Sequence, residues 1–246
     1  MNQVTDQQII EILRKEAVPA LGCTEPVACA LACAKCKEVL GGVPERLDVL
    51  VSGNIYKNGM GVGIPGTGMV GLPIAAALGA VCGKSEYGLE VLKEVNVGDN
   101  LQRAKDMLDQ VTVSLKEDVP DKLYAEALAT KGNDTVKVVI AHTHTNIVLV
   151  EKNGEEIFKR EFRLDTSKPE DKGPELSVKR IWDFVHEVDV KDIEFVLQGA
   201  EMNKAISAEG LNSEYGLQIG KTLKENIDKG LLEDDLLNRT LIRATA

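Results

Sequence analysis

The residue with the most chemical potential is Cys23, in the run PALGCTEPVA (19–28). Pro26 suits the first turn of a helix, where its missing N–H costs nothing, so Cys23 is expected just ahead of a helix N-terminus. Free amides and the positive end of the helix dipole favour a thiolate there, and thiolate is the form that reacts and binds soft metals. Glu25 is a candidate general acid or base, or else a carboxylate that stabilises the helix start. The plainer reading of Cys23 is a small residue in a turn.

A second candidate is the glycine-dense segment SGNIYKNGMGVGIPGTGMVGLP (52–73). Glycines at this density let backbone amides approach an anion closely. The amides of Gly66, Thr67 and Gly68, with the side chains of Asn54, Lys57 and Asn58, are candidate ligands for a substrate carboxylate. A helix starting near Gly68–Leu72 would aim its N-terminus at the same anion. The spacing matches neither a Walker A loop nor a dinucleotide fingerprint, which favours a carboxylate over a nucleotide phosphate. The competing reading is a close-packed turn.

His142 and His144, in AHTHTN (141–146), are read as alternating along one strand and facing the same way. H-x-H is a metal-ligand spacing, but the sequence offers no evident third ligand, and a pair of sheet-face histidines fits equally well. His144 is also a candidate base by residue type. Cys29, Cys33 and Cys36 fall at i, i+4 and i+7 on one face of an Ala-rich helix, where cysteine packs as a small hydrophobe. Cys33 and Cys36 spell C-x-x-C, yet no second such pair follows. Cys82 ends an apolar stretch and is read as core, and His186 is placed near solvent or capping carbonyls.

The elements that must position these groups follow from periodicity and turn chemistry. Helices are expected at 6–17 and from Pro26 to about Leu40, the second closed by Gly41-Gly42. A strand is expected at 47–52, then the glycine segment, an apolar helix within 69–82 and two short polar helices to about 109. Residues 110–116, 122–130, 135–141, 144–151 and 156–163 alternate as strands. Pro120, Gly132-Asn133 and Asn153-Gly154 separate them, and Asn-Gly is a strong hairpin signal. Short loops imply an antiparallel meander with covering helices, joined by the 47–52 strand. After a polar linker at 165–174 come helices at 175–187, 190–209, 213–229 and 233–245. The expectation is an α+β fold: residues 1–165 carry the Cys23 motif, glycine loop and antiparallel sheet, and 166–246 form a helical part.

With 246 residues and a formal charge of −10, the chain has a core-sized length and no basic face. Scattered cations argue against nucleic acid as a partner. The longest apolar stretch, 69–82, is too short to span a bilayer and is broken by Pro73, and the start lacks a signal-peptide core. Five cysteines, an odd number crowded towards one end, suit a reducing cytoplasm better than a disulfide framework.

The segments PALGCTEPVA, SGNIYKNGMGVGIPGTGMVGLPIAAALGA, SLKEDVPDKLY, AHTHTNIVLVE and GLNSEYGLQIGK, in this order, resemble the L-cysteine desulfidase family, among the serine dehydratase alpha-chain-like proteins. The resemblance implies a lyase that cleaves L-cysteine, or dehydrates L-serine, to pyruvate and ammonia with an oxygen-sensitive 4Fe–4S cluster. It implies that Cys23 is a cluster ligand and that the other ligands lie in a further glycine- and cysteine-rich part. The sequence ends at RTLIRATA, about where that part is expected to begin. The chain alone is then expected to be inactive, with a missing carboxy-terminal part or second subunit as its partner and homo-oligomerisation left open. The alternative is a non-catalytic scaffold or binding module for an amino acid or small anion; a zinc protein using His142 and His144 is a third reading.

Overall fold

The computed structural model describes residues 4–160, 176–214 and 217–246. The expected linker at 165–174 and the tail of the last strand beyond 160 lie outside them. The fold is α+β, with a six-stranded sheet, helices and a helical C-terminal segment. Two units are distinguished by their contacts: residues 19–168 hold the sheet, and residues 1–18 join the C-terminal helices.

In the sheet unit, α2 (Thr24–Leu40) is followed by β1 (Arg46–Val51), α3 (Gly53–Gly59), β2 (Gly63–Ile64), β3 (Met69–Val70) and α4 (Leu72–Val81). A 3-10 turn (Ser85–Glu90), α5 (Asn100–Asp106) and a second 3-10 turn (Leu108–Gln110) lead into the remaining strands. These are β4 (Val111–Leu115), β5 (Tyr124–Lys131), β6 (Asp134–Ala141), β7 (Ile147–Lys152) and β8 (Glu155–Lys159). Strands β5 to β8 form the expected antiparallel meander. Asn153 and Gly154, both at positive φ, make the tight turn between β7 and β8.

The first strand of the expected meander is placed differently. β1 lies between β4 and β5, antiparallel to β5 but parallel to β4. The loop from 116 to 123 therefore passes over β1 instead of closing a hairpin. A parallel pair needs a long crossover, which the α3–α5 stretch supplies.

The helix α2 is buried on nearly every side, so it has no polar stripe at all. One side lies over β5 and β6, where the Cys36 thiol donates to the carbonyls of Ala127 (3.5 Å) and Val136 (3.6 Å). The inward residues of β5 on that face are Ala125, Ala127 and Ala129, small enough to admit a helix backbone. On another side α4 crosses at backbone distance: a β-carbon placed on Gly79 would lie 2.2 Å from the Ala30 carbonyl oxygen. Gly41, in the left-handed conformation, ends α2 as expected. The opposite sheet face is wetter and carries a polar network, in which Lys116 Nζ (2.6 Å) and the Tyr124 hydroxyl (2.5 Å) both donate to Glu126 Oε2.

In the other unit, α1 (Asp6–Glu16) starts with a capping box between Thr5 and Gln8. Its Ile9 and Ile10 pack with Val4 and with Phe184 of α6 (Val178–Glu187), so α1 associates with the C-terminal helices rather than with the sheet. Arg180 of α6 is buried, its Nε donating to the Val4 carbonyl (2.6 Å) and its guanidinium pairing with Asp6. Next come α7 (Val190–Ile193), α8 (Phe195–Asn212), α9 (Ile219–Asp228) and α10 (Leu236–Thr245). Ser207 Oγ donates to the Arg243 carbonyl at 2.8 Å, tying α8 to α10.

Two outcomes follow. Gly79→Ala drives a methyl into Ala30, so it is expected to cost about 3 kcal/mol or more, read as a fall in the urea midpoint; an unchanged midpoint contradicts the close crossing. Burial works against ionisation of Glu126, but the Lys116 and Tyr124 donors outweigh it and hold its pKa low. Its stabilising contribution is thus full above the unfolded carboxylate pKa and is lost as pH falls through the lower folded value. Glu126→Gln is expected to lower stability by about 1.5 kcal/mol near neutrality, with the difference fading in acid, as measured by denaturation at several pH values.

Candidate functional site

Cys23 is the N-cap of α2, with Thr24 as the first helical residue and Pro26 in the first turn, as the sequence predicts. Its thiol does not cap the helix. It donates instead to Glu25 Oε2 at 2.8 Å. The other carboxylate oxygen, Oε1, accepts from Asn58 Nδ2 of α3 at 3.1 Å. Glu25 thus joins two elements that meet only because α3 follows β1 directly, with Ser52 capping it. Ser52 Oγ also donates to the Lys122 carbonyl at 2.7 Å, which anchors the start of α3 to the loop ahead of β5.

The expected thiolate is not favoured here. Burial raises the Cys23 pKa, and the hydrogen bond to the Glu25 carboxylate and its charge raise it further, outweighing the amides of the helix start. The counterpart is Glu25, whose pKa is lowered chiefly by the Cys23 thiol and also by Asn58. At neutral pH the resting pair is a thiol and a carboxylate.

The glycine segment is more structured than a loop. Its first part is α3, and its second is a small hairpin of β2 and β3 whose turn, 65–68, lies beside Cys23. A β-carbon on Gly22 would meet the Pro65 ring at 3.0 Å. Thr67 is buried, and its hydroxyl donates to the Ile64 carbonyl (2.7 Å) and accepts from the Met69 amide (2.9 Å), so it shapes the turn. Gly66 is pressed against Asn96 and Val95, whereas the space a side chain would take at Gly68 is open. Asn54 and Lys57 are exposed on α3, with Asn54 one turn before Asn58.

The two histidines do not share a strand. Residues 142–146 form a turn, closed by Asn146, whose backbone carbonyl accepts from the Ala141 amide and whose side chain donates to the Ala141 carbonyl. His142 takes a positive φ and its Nδ1 meets Asp121 at 2.6 Å. His144 lies close enough to feel the Glu25 charge; burial lowers its pKa and that charge partly offsets the effect, which leaves it neutral at neutral pH. The one-strand reading failed because a backbone turn overrode the alternation. Asn58, expected among the donors to a substrate carboxylate, donates instead to Glu25, a partner 33 residues away that residue type does not point to.

Cys29, Cys33, Cys36 and Cys82 are all buried free thiols. Burial pushes Cys29 up to about 12 and raises Cys33 well above the usual thiol range. Among the described residues no group of three or more His, Cys, Asp or Glu could hold a metal ion. Also among them, no helix is long and apolar enough to cross a membrane.

Comparisons with known proteins find similarity to proteins named UPF0597. The chain is 46% identical over 243 residues to one from Actinobacillus pleuropneumoniae, covering 98% of this chain and 56% of that protein. It is 47% identical over 247 residues to one from Dichelobacter nodosus (99% and 57%) and 43% identical over 252 residues to one from Parabacteroides distasonis (100% and 58%). The chain thus spans little more than half the length of these curated relatives. No family model and no solved structure matches. The resemblance to the L-cysteine desulfidase family is therefore corrected: relatives over nearly the whole chain carry the UPF0597 name, and none of those named here is described as a desulfidase or as serine dehydratase alpha-chain-like. The motifs behind that resemblance encode a proline-started helix and a glycine hairpin, local geometry that different families can share.

The exposure pattern sets an expected outcome. A neutral alkylating reagent applied to the native chain should label Cys23 and spare the four core thiols. In Glu25→Gln the thiol loses an adjacent charge, its pKa falls, and alkylation at pH 8 should accelerate several-fold. Equal labelling of several cysteines by mass spectrometry, or an unchanged rate, would contradict the pairing.

Proposed function

We propose that this chain is the proton-transfer portion of a β-eliminating lyase that converts L-cysteine, or L-serine, to pyruvate, ammonia and hydrogen sulfide, or water. The observation that carries the reading is the Cys23–Glu25–Asn58 constellation at the start of α2, with a glycine turn alongside. In the resting chain Glu25 is a weak base because two donors hold its charge. Once the Cys23 proton leaves or turns to a ligand, Glu25 loses its strongest donor and its basicity rises. Glu25 then accepts the α-proton, with neutral His144 as the second acceptor within reach of its field. The β-carbon bond to sulfur or oxygen breaks as a carbon–carbon double bond forms. The resulting aminoacrylate tautomerises to an imine, which water hydrolyses to pyruvate and ammonia.

The backbone amides of Gly66 and Gly68 and the side chains of Asn54 and Lys57 are the proposed carboxylate ligands, the Thr67 amide being taken by the Ile64 carbonyl at 3.2 Å. A 4Fe–4S cluster is held by several thiolates together. The described residues offer Cys23 and otherwise thiols sealed in the core, so such a cluster does not fit this chain by itself. Cys23 would be the one ligand it contributes, the others coming from a missing part or second subunit. Free thiols throughout suit a cytoplasmic setting. The sealed thiols also favour a second reading, a non-catalytic module that binds an amino acid or small anion beside Cys23.

The isolated chain, reconstituted anaerobically with iron and sulfide, is expected to release no sulfide or pyruvate from L-cysteine. Completed by the remaining portion of a relative, it should do both, and Cys23→Ala should abolish turnover while Cys33→Ala costs only about 1 kcal/mol of stability. Robust turnover by the isolated chain, or full activity of the Cys23 variant, overturns the reading. Amino-acid binding without turnover in the completed protein supports the module instead.

A further inference from the structure

The helix α6 is inverted relative to an ordinary surface helix. Val178, Ile181, Trp182 and Val185 recur at i, i+3, i+4 and i+7, one apolar stripe, yet all four are exposed, Trp182 at 64% and Val178 at 84%. The face turned inward carries Phe184 and the buried Arg180. On α8, Met202 and Ile206 sit one turn apart and are also exposed, Ile206 at 70%. Among the described residues of 176–246, Phe184 and Ile242 are the buried apolar side chains, against sixteen large apolar side chains left exposed. Beyond the small core that Phe184 makes with Val4, Ile9 and Ile10, these C-terminal helices leave apolar surface of a kind that is built to be covered.

The relatives indicate what covers it. A protein in which 243 matched residues make up 56% is about 430 residues long, which leaves about 190 outside the match. We propose that the apolar stripe of α6, with Met202 and Ile206 of α8, is the docking surface for that remaining segment of the longer protein. The occupant is a folded polypeptide presenting an apolar face, not a second copy of this chain and not a lipid surface. A chain with a formal charge of −10 disfavours stacking on itself or on anionic lipid. This inference rests on the exposed stripe and on the relatives' length, and it is independent of the chemistry at Cys23.

The single tryptophan makes the proposal measurable. The remaining segment of the Actinobacillus pleuropneumoniae relative is fused to this chain through a flexible linker, which keeps the two at high effective concentration. Emission is recorded with Trp182 and with Trp182→Phe, so that the difference isolates Trp182 from any tryptophan in the segment. Docking is expected to shift that difference spectrum to the blue and to reduce acrylamide quenching several-fold relative to the isolated chain. Val185→Glu should restore the solvent-exposed spectrum while leaving the helix content and thermal midpoint of the isolated chain unchanged. A Trp182 signal as exposed in the fusion as in the isolated chain overturns the proposal, as does docking that survives Val185→Glu. Sedimentation of the isolated chain as a dimer with protected Trp182 assigns the stripe to a second copy instead, and protection by anionic vesicles assigns it to a membrane; either result also overturns it.

Discussion

The sheet unit depends on one contact, the crossing of α2 and α4 at Gly79 and Ala30, where backbone meets backbone. With a side chain at Gly79 the two helices would separate, and α2 would no longer fit between α4 and the alanine face of β5. That seat fixes the direction in which α2 begins, and the start of α2 is where Cys23 and Glu25 sit. Geometry at the site is therefore inherited from the absence of a single methyl group, against a point on α2 about seven residues' rise from Cys23. Small residues on both partners, Ala30 and Ala34 on α2, Gly79 and Gly83 at α4, are what allow it.

The same burial divides the five cysteines by chemistry. Four are thiols in a medium that resists charge, and Cys36 spends its weak donor capacity on strand carbonyls. Cys23 differs because it precedes the helix instead of lying within it. Its neighbour Glu25 then decides its state: the carboxylate keeps the proton on sulfur, and the thiol keeps the carboxylate charged. Neither group has its properties alone, and Asn58 sets the geometry by holding the far oxygen.

Much of this was readable from residue order, and the misreadings share a cause. Period-2 alternation located β5 to β8, Asn153-Gly154 located a hairpin, and Gly41 located a helix end, because each is decided by a few neighbouring residues. The insertion of β1 between β4 and β5 is decided by pairing across more than sixty residues, which no local pattern encodes. The His142–His144 turn was hidden because its closing contact comes from Asn146, a residue equally at home in a strand-flanking loop. The glycine segment was legible as a close approach but not as a helix, since α3 survives two glycines only through its Ser52 cap and its seat on the sheet. The Glu25–Asn58 bond joins residues 33 apart, and only the folded chain brings them together.

The position of β1 also sets an order of events during synthesis. The chain is made from its N-terminus, so α2 and β1 leave the ribosome well before β5 and β6, the strands that cover α2. From Leu40 to Ala141 is about a hundred residues, roughly 5 to 20 s of elongation at ordinary rates. α4, at Leu72–Val81, is made only partway through that interval, so α2, a helix with no polar face, first waits alone and then leans on α4. Its many alanines limit the adhesive surface it shows while waiting, whereas a leucine-rich helix in the same place would offer far more to wrong partners.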